Sequence, residues 1–124
     1  MDSQAYQDGW NRLHAEFDDI VEPLRKQKDE LITQLSQLSG TISEMDRLAS
    51  AAERQRSAIL FRRPVTREGR FQLHCLQEDM TVINSSLRDL QRSKEIAEGE
   101  LREVEAEITA ARTRLARELS KLRD

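Results

Sequence analysis

Residues 60–71 read Leu60-Phe61-Arg62-Arg63-Pro64-Val65-Thr66-Arg67-Glu68-Gly69-Arg70-Phe71. Pro64 has no backbone N–H and clashes with a helix interior, and it pushes Arg63 out of helical angles. Two residues later Thr66 can cap a new helix, and Glu68 then falls in the first turn, where the helix dipole favours negative charge. The stretch therefore reads as the stop of one helix, a short turn and the start of another.

The sequence on either side is periodic. Every seventh residue from Trp10 is apolar: Trp10, Phe17, Leu24, Leu31, Leu38, Met45, Ala52 and Ile59. The companion series is His14, Val21, Lys28, Leu35, Ile42, Ala49 and Arg56, with three polar members that a coiled-coil seam tolerates singly. Beyond the turn the two series are Leu73, Met80, Leu87, Lys94, Leu101, Ile108, Leu115, Leu122 and Leu76, Ile83, Leu90, Ala97, Val104, Ala111, Glu118. Only Lys94 and Glu118 interrupt them. Heptads sustained over this length point to coiled coil.

The expected fold is all-α: residues 1–124 as one long antiparallel two-helix coiled-coil hairpin. Helix 1 is expected over about 8–61, the turn over about 62–69 and helix 2 over about 70–122. A turn centred near Thr66 makes the numbers of facing residues sum to about 132. Ile59 then meets Leu73, Leu31 meets Leu101, Phe17 meets Leu115, and Val21 meets Ala111. Small residues fall opposite larger ones, as close packing asks. Pro23 should kink the first helix or mark its true start. Ser39-Gly40-Thr41 is a run of poor helix formers.

Composition agrees. Of 124 residues, 37% are hydrophobic and 4% aromatic, whereas 35% are charged. A globular domain is nearer 45–50% apolar and about 25% charged. This chain is short of the mass that fills a globular core, so an elongated hairpin is expected. Four Gly and two Pro are too few for the turns of a β-sandwich or barrel. Disorder is the competing class for such a composition, and the heptads argue against it.

No run approaches the ~20 apolar residues of a membrane span, and no secretory signal is visible at Met1-Asp2-Ser3. The single Cys75 fits a reducing compartment, so the expected location is cytoplasmic. The net charge of −3 is unevenly distributed. Residues 1–22 carry six acids against Arg12, whereas residues 112–124 carry five bases against two acids. The hairpin would bring those ends together. It would also set the acidic stretch 95–107 against Arg25, Lys26 and Lys28.

Chemistry-bearing constellations are missing. His74 and Cys75 are adjacent, so on a helix they point about 100° apart and lack metal-ligand spacing. Carboxylates are dispersed along solvated faces, with no Gly-rich phosphate loop. The reading is of a non-enzyme without cofactor, metal or catalytic residues. His14 opposite Glu118 would be a polar pair near the open end.

Two places stand out as candidate binding sites. The first is the turn, where Arg54, Arg56, Arg62, Arg63, Arg67 and Arg70 face only Glu68, a local +5 on an acidic chain. Phe61, Val65 and Phe71 lie among them outside both seams, and arginine and aromatics are enriched at binding hot spots. An acidic protein surface is the expected partner. The alternative is that Phe61 and Phe71 pack together and merely close the hairpin. Nucleic acid is less favoured, because the basic patch is short. The second place is the open end. Tyr6, Leu13 and Ile20 flank Trp10 and Phe17 there and widen the apolar stripe, as Ile32 and Leu48 do further on. A homodimer or a partner helix would cover them.

A soluble acid- and arginine-rich chain with heptads from Trp10 to Ile59, a turn at Arg62–Arg70 and heptads from Leu73 to Leu122 resembles the FliJ/YscO family. These are the stalk proteins of flagellar and virulence type III secretion export. The resemblance spans nearly the whole chain and is one of architecture, length and composition, so no binding residues are carried over. It implies a stalk similar to the central shaft of rotary ATPases, with protein partners that include an export ATPase ring, the export gate or secretion chaperones. Two other readings stand beside it. One is a structural subunit of a heteromeric coiled-coil adaptor or tethering complex. The other is a small helical regulatory or chaperone protein, or a fragment.

Overall fold

The computed structural model describes residues 3–62 and 64–123. Two α-helices account for nearly all of them: α1 (Ser3–Phe61) and α2 (Arg67–Arg123). They pack against each other as a helical hairpin, with no strand among the described residues.

α1 begins at Ser3, earlier than the first heptad residue requires, because Gln4, Ala5, Tyr6 and Gln7 are compatible with helix. Gln4 and Gln7 also donate side-chain hydrogen bonds one turn on, to Asp8 (3.0 Å) and Asn11 (3.2 Å). α2 begins at Arg67 rather than near 70, because Thr66 is its cap. The Gly69 N–H donates to Thr66 Oγ1 at 3.0 Å and the Arg70 N–H to the Thr66 carbonyl at 2.9 Å. One orphan amide of the first turn is thereby satisfied. Glu68 in the first turn and Lys121 and Arg123 in the last complement the dipole of α2, whereas α1 has no such charges at either end.

Helix α1 runs through Pro23. That residue cannot donate to the Asp19 carbonyl, so the helix gives up one internal hydrogen bond and is held there by the packing of its neighbours Val21 and Leu24. The threonines Thr41, Thr81 and Thr113 each donate their hydroxyl to the carbonyl four residues back, at 2.9–3.0 Å. This back-bonding satisfies each hydroxyl within its own helix.

The seam holds the residues the heptads nominate. The buried apolar side chains are Val21, Leu31, Ile42, Ala52, Ala97, Val104 and Ile108. All seven belong to the four series. The contacts group into two compact units, Met1–Gln34 with Ala97–Asp124 and Leu35–Ile96. In the first unit the register is visible directly. Lys28 Nζ lies 3.9 Å from Glu105 Oε1. A Cβ added to Gly9 would stand 2.9 Å from Leu122 Cδ2. Those two pairs lie one residue either side of the expected register. Lys28 thus keeps its stem in the seam and turns its ammonium to the rim, as long basic side chains do. Gly9 lets Leu122 lie on the α1 backbone.

Candidate functional site

The second unit contains the turn, and its apolar residues divide in a way the sequence does not announce. Val65 is half-buried, and Gly69 is buried beside it. A Cβ on Gly69 would meet Thr66 Oγ1, Val65 Cγ1 and Ile59 Cγ2 at 3.3–3.4 Å. The end of α1 therefore closes on a bare backbone, and Val65 seals the join. Phe61 and Phe71 take no part. Phe61 is 91% exposed and Phe71 66%, and no ring contact joins them. Leaving a phenylalanine in water forgoes about 1.5–3 kcal/mol of burial. The alternative in which these rings close the hairpin is replaced by Val65, Gly69 and Ile59.

Around those rings the arginines are sorted. Arg62 and Phe71 line one open groove, of about 490 Å³, together with Ala58, Ile59, Cys75 and Leu76. Asp79 also borders this groove. Arg62 also borders a smaller hollow of about 260 Å³ against Pro64, Val65 and Gly69. Arg62 therefore stands between two concave surfaces, an arrangement suited to holding a carboxylate while an apolar side chain enters the groove. Arg54, Arg67 and Arg70 are exposed. Arg56, a seam position by periodicity, is also exposed and forms an ion pair with Glu53 at 3.3 Å. Glu53 lies one residue outside the basic window, so the field of the turn is weaker than the count of arginines implies. The spacing of three residues on a helix was the available signal. Arg63 lies outside the described residues.

The first unit carries the other candidate face. Leu13, Phe17 and Ile20 of α1 line an open groove of about 520 Å³ with Ala111 and Leu115 of α2. Tyr6 and Trp10 do not border it. Trp10 packs instead against His14, with ring centroids 3.8 Å apart and the planes tilted by 36°. The His14 Nε2 is buried without a hydrogen-bond partner. The expected pairing with Glu118 is not formed; that carboxylate accepts from Lys121 at 3.2 Å. Residues missed by sequence reading are the walls of the two grooves, Cys75 and Asp79 in one and Glu107 and Arg114 in the other. Asp79, Glu107 and Arg114 fall beside the seam, at positions a heptad reading treats as flanks, whereas Cys75 falls at a position it assigns to the outer side of the helix.

His74 Nε2 lies 3.2 Å from Glu78 Oε1, one turn along the same exposed helix face. Among the described residues no group of three or more His, Cys, Asp or Glu is placed to hold a metal ion. No helix among them is long and apolar enough to cross a membrane. Comparison with family models, with curated proteins and with solved structures finds no match to this chain.

Proposed function

We propose that this is a non-enzymatic coiled-coil interaction protein whose turn docks an acidic protein surface. The observation that carries the reading is Phe71, exposed beside Arg62 at a groove, together with Phe61, left in water as the chain neighbour of Arg62. Exposed aromatics next to arginine are the composition of a binding hot spot, and Phe61 has no role in closing the hairpin. In the specific form of the proposal, the chain is a stalk or escort component of a type III secretion export ATPase complex. The partners are then the export ATPase ring, the export gate or secretion chaperones, all within the cytoplasm. The hairpin architecture and the basic, aromatic turn support this form. A structural role in a heteromeric coiled-coil adaptor or tethering complex needs the same hairpin, but its binding would be spread along the seam flanks and not concentrated at the turn.

The test replaces Arg62, Arg63 and Arg67 together with Glu. Capture of the partner should be lost while circular dichroism stays helical. Unchanged capture removes the turn from the proposal. Adding the wild-type chain to a purified export ATPase should stimulate hydrolysis and ring formation; an inert response removes the export reading and leaves the adaptor one.

A further inference from the structure

The groove of the first unit has walls of both signs. Glu107 and Arg114 border it on α2, and Glu16 borders it on α1. Along α2 the same flank reads Glu100, Glu107, Arg114, Lys121 at seven-residue intervals, two acids and then two bases. The neighbouring column reads Glu103, Ala110, Arg117. At 3.6 residues per turn these seven share one face about 100° wide. All seven are exposed. Glu100, Glu103, Glu107, Arg114 and Arg117 make no ion pair among the described residues; Lys121 pairs with Glu118.

The order of signs is self-complementary. Glu107 and Arg114 are equidistant from the point between Ala110 and Ala111, and so are Glu100 and Lys121. Glu103 and Arg117 are equidistant from Ala110. A second α2 laid antiparallel across that point brings Glu107 opposite Arg114, Glu100 opposite Lys121 and Glu103 within one residue of Arg117; Glu118, which lies on the same strip and borders the groove, keeps its partner Lys121 within its own chain. Ala110, exposed at the crossing, lets the backbones approach closely. Ile20, 48% exposed on the other wall of the groove, is then covered. A partner of uniform charge would bring like charge to one half of the strip, whereas the reversed strip of a second copy satisfies both halves. This is the geometry of an isologous two-fold contact.

We infer that the 100–121 face of α2 is a homodimer interface, in which two copies pack antiparallel about Ala110 and Ala111 and fill each other's groove. The inference is independent of the turn reading, because turn variants leave every residue of this face in place.

Sedimentation equilibrium of the full chain should show a monomer–dimer equilibrium. Arg114→Glu alone sets Glu against Glu107 of the partner twice per dimer. Association should therefore weaken roughly tenfold. Glu107→Arg alone should weaken it similarly. Glu107→Arg with Arg114→Glu in one chain should restore it, and mixing the two single variants should yield a heterodimer. A monomer at all concentrations overturns the inference, also where that monomer binds a basic amphipathic helical peptide, which would give the groove to another partner. A dimer indifferent to both single swaps, or not restored by the double one, overturns it as well.

Discussion

The two units share one fold and one heptad grammar, yet they distribute apolar mass differently. The Met1–Gln34 and Ala97–Asp124 unit buries Val21, Leu31, Ala97, Val104 and Ile108, whereas the Leu35–Ile96 unit buries Ile42 and Ala52. The exposed large apolar residues run the other way. Trp10, Ile20 and Ile32 belong to the first unit, and Leu48, Leu60, Phe61, Phe71, Val82 and Ile96 to the second. The first unit holds its apolar groups in the seam. The second sets many of them on flanks where a two-helix structure cannot cover them. Local stability follows buried apolar contact, so the second unit should open more readily. The turn, with Phe61 and Phe71, lies within that unit.

Substitutions in each unit test this contrast. The largest effect is expected from Leu31→Ala in the first unit, at about 2–5 kcal/mol of lost stability in chemical denaturation. Leu48→Ala, the matched change at an exposed site of the second unit, should cost within about 0.5 kcal/mol. Equal losses at the two sites would mean that the difference in burial has no energetic weight. Next comes Pro23→Ala. Restoring the bond to the Asp19 carbonyl should raise thermal stability by up to ~3 kcal/mol, with slower amide exchange around residues 19–27. A smaller gain, about 0.5–1 kcal/mol, is expected for Gly40→Ala, since a Cβ there meets nothing within 4 Å. If that gain appears as slower exchange throughout the second unit, the Ser39-Gly40-Thr41 run is its weak point. Smallest of all is Phe61→Ser, which should leave the melting midpoint within about 0.5 kcal/mol of wild type while partner binding falls. A large loss of stability would show that the ring is part of the fold.

Much of this was legible in the sequence, for a definable reason. Helix period, Pro64 and the Thr66 cap are local signals, acting over four to seven residues, and the buried seam follows from repeating them. The grooves were half legible. Leu13, Phe17 and Ile20 appear as a widening of the apolar stripe. Their opposite walls come from a chain segment about a hundred residues away, and only the register brings the two together.

By itself, then, the sequence determined two helices, their turn, their cap and the residues that meet between them, because periodicity decides which face of a helix is apolar. Tertiary structure alone decided which apolar groups at the turn are used. Sealing depends on how closely two backbones approach, and here Gly69 lets Ile59 come near enough for Val65 to complete the join. It also decided that the phenylalanines face water. Those outcomes turn on distances across the hairpin, which no spacing along a single helix contains.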